Sequence, residues 1–100
     1  MKIAIASEGE KEDSEISLRG ARAPYYLIFE NKKPIETIKN PFAIGGGGAG
    51  FSVAYMLADK KVNLVIAGKV GGNMISALKE KEIKFEEKSG KITKVSKSFL

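Results

Sequence analysis

One hundred residues, 43% of them hydrophobic and 29% charged, provide for one domain (residues 1–100) around one core. The formal charge is +5, and the chain has neither cysteine nor histidine. Disulfide frameworks, thiolate or imidazole metal sites and Ser-His-Asp or Cys-His catalysis are excluded, which leaves any catalysis to Lys, Tyr or carboxylates.

No apolar run approaches the roughly 20 residues that span a bilayer. The opening MKIAIASEGEKED is too short in its apolar stretch and too acidic for a signal peptide, so a cytoplasmic location and no membrane partner are expected. Lys2 to Ala6 (KIAIA) alternates and is expected as a first strand. Ser7 to Ala23 is polar and longer than the usual connection, which marks it as a functional candidate. Pro24 to Glu30 (PYYLIFE) is rich in aromatic and β-branched residues and reads as a second strand. Asn31-Lys32-Lys33 turns the chain, and Pro34 to Lys39 returns as its hairpin partner, closed by Asn40-Pro41.

Phe51 to Lys60 is apolar on most sides, as a helix packed on a sheet would be. Val62 to Ala67 is nearly continuous apolar, the pattern of a doubly covered central strand. Gly71-Gly72-Asn73 opens a second helix, Met74 to Lys81, with Met74, Ile75, Ala77 and Leu78 as its buried stripe. Ile83 to Glu86 is a last short strand, and Ile92, Val95 and Phe99 recur at the spacing of a short C-terminal helix. Lys88 to Lys97 is distinctly basic, but no aromatic residues are interleaved as a nucleic-acid stacking platform would need. A solvated lysine-rich surface is the simpler reading.

The order is β-β-β-α-β-α-β with a terminal helix, an α/β domain. A right-handed crossover through the first helix makes the fourth strand run parallel to the third. The loops Ser7 to Ala23, Asn40 to Gly50 and Gly68 to Asn73 then emerge on one edge of the sheet, beyond the carboxyl ends of the parallel strands, where open α/β sheets bind ligands.

The segment AIGGGGAGF places Gly45, Gly46, Gly47, Gly48 and Gly50 within six positions. Gly45, Gly47 and Gly50 match G-x-G-x-x-G in form only. About 20 residues on, where an acid should hold the ribose, stand Lys69 and Val70. No Gly-Lys-Ser/Thr follows, so a Walker A loop is absent as well. What remains is a set of open N–H groups ahead of a helix whose N-terminus carries partial positive charge, with a second such start at Gly71, Gly72 and Asn73. Arg19, Arg22 and Lys69 could add fixed charge. The expected ligand is a polyanion or anionic cluster held mostly by backbone. The alternatives stay open that the glycines serve only a tight turn and close helix packing, and that Arg22 is a surface ion-pair residue.

With these segments placed, the chain resembles the dinitrogenase iron–molybdenum cofactor biosynthesis family, which contains NifX- and NafY-like proteins and the C-terminal part of NifB. The resemblance rests on MKIAIAS, GARAPYYLIFE, KNPFAIGGGGAG, LVIAGKVGGNMISALKEKEIKF and the closing SGKI, in that order over nearly the whole chain. It implies a single three-layer domain with a mixed five-stranded sheet of ribonuclease H-like topology. It also implies a role in carrying iron–sulfur or iron–molybdenum cofactor precursors, with a protein partner in metal-cofactor assembly. Many members carry His-Phe-Gly-Arg-Ala-Pro-Tyr before the second strand. Here the stretch reads Arg19-Gly20-Ala21-Arg22-Ala23-Pro24-Tyr25, so Arg19 stands at the histidine position and Gly20 at the aromatic one. Backbone amides and arginine are then the holders left.

The leading expectation is a small non-enzymatic carrier or sensor for an anionic cluster precursor or oxyanion. The alternative is a protein or nucleic-acid interaction module with structural glycines. A ribonuclease H-like nuclease would need clustered carboxylates on the first strand, and KIAIA has none.

Overall fold

The computed structural model describes residues 1–99. The chain forms β1 (Lys2–Ser7), β2 (Tyr25–Glu30), β3 (Lys33–Lys39), α1 (Ala49–Asp59), β4 (Leu64–Ala67), α2 (Gly72–Glu80), β5 (Lys84–Glu87) and α3 (Ile92–Phe99). The strands make one mixed sheet in the order β3-β2-β1-β4-β5. β1, β2 and β3 form an antiparallel meander, whereas β4 pairs parallel to β1 and β5 parallel to β4. The fourth strand has the direction expected, but its neighbour is β1, because the crossover through α1 passes over β2 and β1 before returning to the sheet.

Alternation along each strand sorts side chains to two faces. Ala4, Ala6, Tyr26, Ile28, Val65 and Ala67 meet α1 and α2. Ile3, Ile5, Leu27, Phe29, Leu64 and Ile66 pack with Ile16, Ile92 and Val95 on the other face. The result is three layers, with α1 and α2 on one side of the sheet and α3 on the other. The side chains of residues 97–99, including Phe99 of the expected stripe, lie outside what the structure describes.

Element boundaries differ from expectation by one or two residues: β1 runs on to Ser7, β2 starts at Tyr25, β4 at Leu64 and β5 at Lys84, and α1 and α2 end at Asp59 and Glu80. The hairpin turn is the two residues Asn31 and Lys32, both in the left-handed region (φ 51 and 69), so β3 starts one residue early at Lys33. α1 begins at Ala49 and takes in Gly50, although glycine is a poor helix former, because packing against α2 outweighs propensity there. α2 begins at Gly72 and also includes Asn73.

The long connection after β1 is tied down rather than loose. Ser17 N–H donates to Ala6 O at 2.9 Å, Gly68 N–H to Ser17 O at 2.7 Å and Ile16 N–H to Gly90 O at 2.8 Å. Ile16, Ser17 and Gly20 are buried. At Gly68 a Cβ would stand 2.7 Å from Leu18 Cα and 3.0 Å from Ser17 O, both backbone atoms with little room to yield. Gly68→Ala is therefore expected to cost about 1–3 kcal/mol in urea unfolding, while Gly46→Ala, where a Cβ meets nothing within 4 Å, should stay within about 0.5 kcal/mol of wild type. Equal effects of the two substitutions would refute this account of the loop.

Candidate functional site

At the carboxyl edge of the sheet the N-terminal ends of α1 and α2 meet. The closeness depends on Gly50, where a Cβ would lie 2.8 Å from the Met74 backbone nitrogen and 3.2 Å from Asn73 Cβ. A hollow of about 420 Å³ opens beside this contact, lined by Ala21, Arg22, Ala49, Gly50, Gly71, Gly72, Asn73 and Met74. At Gly71 and Gly72 a Cβ would meet nothing within 4 Å, so these two positions face open space.

Neither helix start is closed by its own sequence. The N-cap residues are Gly48, in the left-handed region at φ 84, and Gly71; neither offers a side chain, and no acid stands in either first turn. The N–H groups of Ala49, Gly50, Gly72 and Asn73 donate to no acceptor among the described residues. Unpaired N–H groups and the aligned peptide dipoles leave partial positive charge at both ends. No carboxylate lines the hollow to offset it.

Arg22 supplies the fixed charge and at the same time holds a wall in place. Its Nη1 donates to Phe42 O at 3.0 Å and its Nη2 to Gly46 O. Carbonyl acceptors orient the guanidinium without neutralising it, and Arg22 has no carboxylate partner among the described residues. The loop that carries Arg22 is secured from below. Asn40, only 4% exposed, donates through Nδ2 to Ala21 O at 3.0 Å and Ala23 O at 2.9 Å, and its Oδ1 accepts from Phe42 N–H at 2.9 Å. The fully buried Tyr26 donates its hydroxyl to Gly20 O. Burial pushes the Tyr26 phenol well above its ordinary ionisation range.

Of the residues singled out in the sequence, Arg22, Gly50, Gly71, Gly72 and Asn73 share this hollow. Gly45 to Gly48 form an exposed strap leading into α1, with nothing within 4 Å of any Cβ built on them. Arg19 is exposed and lines a separate groove with Glu8, Glu15, Ile16, Leu18, Ser89 and Gly90. Lys69 takes part through its carbonyl, which accepts from Gly20 N–H at 2.9 Å, while its exposed side chain does not line the hollow. Asn40 and Tyr26 were legible as a strand end and a strand residue, not as the residues that fix the Arg22 loop. Asn immediately before Pro41 was the available signal, since a buried asparagine side chain needs several partners at once.

The profile of the family described as dinitrogenase iron-molybdenum cofactor matches residues 1–100. A Thermotoga protein solved by NMR, ascribed to NifB and to the DUF35 family, is 31% identical and superposes with a TM-score of 0.82, covering 98% of this chain and 85% of that one. The apo form of the orange protein from Desulfovibrio gigas superposes with a TM-score of 0.90 at 24% identity, with the same coverage of 98% and 85%, a likeness of fold. No curated protein matches the chain.

Tyr26→Phe leaves the Gly20 carbonyl buried without its donor, and a loss of about 1–3 kcal/mol is expected at neutral pH. Above pH ~10 an unfolded tyrosine releases its proton while folded Tyr26 keeps it, so the stability that Tyr26 contributes falls as pH rises further. The gap in urea midpoint between wild type and variant should accordingly narrow above pH ~10. A gap that is constant or widens there would overturn the assignment.

Proposed function

Because the chain belongs to the dinitrogenase iron–molybdenum cofactor family, we propose that it is a small non-enzymatic carrier or sensor whose ligand sits in the hollow between the two helix starts. The ligand is an anionic iron–sulfur or iron–molybdenum cofactor precursor, or a simple oxyanion of the same charge. The observation that carries this reading is the convergence of two uncapped helix N-termini and one unneutralised guanidinium on a hollow without a carboxylate. Each helix start favours an anion by about 0.3–1 kcal/mol, or up to ~2 when partly buried. Hydrogen bonds from charged Arg22 add about 1.5–3 kcal/mol each where formed.

The chemistry of the donor set also constrains how a cluster is held. The chain has no cysteine or histidine, and the described residues include no group of three or more acids that could hold a metal. A metal cluster bound here keeps its own inorganic ligands and is gripped by their outer sulfur or oxygen atoms, which accept from backbone N–H groups and Arg22. A second reading, a protein interaction module, draws on Ile44, which is 91% exposed in the strap.

Anoxic amide NMR titration of the apo protein separates these readings, with molybdate, phosphate and an isolated iron–sulfur cofactor precursor added in turn. Shifts confined to Ala21, Arg22, Ala49, Gly50 and Gly71 to Met74 with the cluster alone support the carrier. The same shifts with simple oxyanions indicate a general anion site, and no response at these amides sinks the assignment. Gly71→Val, whose side chain would project into open space, is expected to keep the fold and weaken binding by about tenfold or more, with Gly47→Val in the strap weakening it less. Unchanged affinity in Gly71→Val would remove the hollow from consideration.

A further inference from the structure

The edge of the sheet opposite the hollow has a different character. β1, β4 and β5 begin there, α1 and α2 end there, and the β2–β3 turn lies on it. Lysines far apart in sequence are thereby gathered: Lys32 in the turn and Lys33 at the start of β3, Lys60 and Lys61 after α1, and Lys79, Lys81 and Lys84 around the α2–β5 connection. These seven lysines exceed by one the acids around them, Glu30, Glu36, Asp59, Glu80, Glu82 and Glu86. Lys60 pairs with Glu36 at 2.7 Å, and the Lys81 ammonium lies 5.3 Å from the centre of the Tyr55 ring. Lys33, Lys61, Lys79 and Lys84 have no carboxylate partner among the described residues.

Lysines near the ends of α1 and α2 complement the helix dipoles, which accounts for part of this charge. It does not account for the backbone. Asn31 (φ 51), Lys32 (φ 69), Lys61 (φ 65) and Glu82 (φ 60) occupy the left-handed region, which suits glycine and strains a residue with a β-carbon. At the loop edge the same region is given to Gly45, Gly48 and Gly90. The chain thus uses glycine for this conformation at one edge and polar residues with a β-carbon, two of them lysines, at the other.

Set into the basic edge is a cleft of about 680 Å³. Met1, Ile3, Leu64, Ile83 and Phe85 provide its apolar lining, and its polar lining is Asn63, one carboxylate, Glu86, and two ammonium groups, Lys79 and Lys84. We propose that this edge docks an acidic segment of a partner protein, in which one or two large apolar residues enter the cleft while flanking Asp or Glu residues meet Lys79 and Lys84. Charge complementarity selects the acids, and the apolar lining selects a polypeptide over a nucleic acid. Bases would need free rings to stack on, whereas Phe85 is half-buried in the cleft and the exposed ring of Tyr55 already carries the Lys81 ammonium. Because this edge is remote from the hollow, the inference does not depend on what the hollow binds.

The test is fluorescence anisotropy of the full chain with three labelled probes: an acidic peptide with a central Phe-Leu pair, the same peptide with Ser-Ser in its place, and a short single-stranded DNA. The Phe-Leu peptide is expected to bind at least about tenfold more tightly than the other two, and to weaken about tenfold between ~50 and ~200 mM salt. Lys79→Glu combined with Lys84→Glu should abolish binding, and the milder Lys84→Gln should weaken it, with urea midpoints showing that each variant folds. Gly71→Val should leave this affinity unchanged. Equal binding of the Ser-Ser peptide, tighter binding of DNA, or no binding at low salt would each overturn the proposal. So would salt-sensitive self-association in sedimentation velocity, which would place the acidic 8–15 loop of a second copy on this edge.

Discussion

Two helix starts can share one hollow only if their backbones come within contact distance, and at Gly50 they do so with no side chain between them. Almost everything at the loop edge follows from that contact. It sets the separation of the first turns of α1 and α2, puts their free N–H groups on one concave surface, and draws Met74 into the core beneath them. A single methyl group at position 50 would oppose the Met74 nitrogen at 2.8 Å, so the hollow and the α1–α2 packing are one feature.

The second layer of support is polar. Three side chains from different elements, Arg22, Tyr26 and Asn40, each bond to carbonyl groups of the two loops that flank the hollow. A loop held this way loses its freedom on folding rather than on binding, which is the usual advantage of preorganisation. The buried members of the set are satisfied: among the described residues no buried side-chain nitrogen or oxygen lacks a partner. Arg22 differs from the other two because its acceptors are neutral and its charge remains available.

Much of this was legible in the sequence, and the reasons are specific. Alternation in KIAIA and YYLIFE and the apolar run of LVIA placed the strands because side-chain period and two-sided burial act locally. The stripe of α2 was readable for the same reason: Met74, Ala77 and Leu78 are buried and Ile75 half-buried. What pattern could not supply was which strand β4 joins, since direction follows from crossover handedness but neighbour choice follows from packing of the whole sheet. Nor could it separate the glycines. Gly50 is required by a contact with a residue 24 positions away, whereas a Cβ at Gly45 to Gly48 would meet nothing within 4 Å. Arg19 and Arg22 look equivalent in the sequence, yet the turn between them sends one to the α3 side and the other to the hollow.

The central strand has a consequence for how the chain acquires its shape. β1 holds β2 along one side and β4 along the other, with Ile3 opposite Leu64 in the second pairing. The meander of the first 39 residues can form as soon as it is made, but the other side of β1 must wait for a segment some 60 positions later. Pairing over that distance closes a long loop and is slow compared with hairpin formation. During synthesis an apolar strand with an open edge is therefore exposed for the time taken to make α1 and β4, and that interval is when the nascent chain is most prone to pair with another copy of itself.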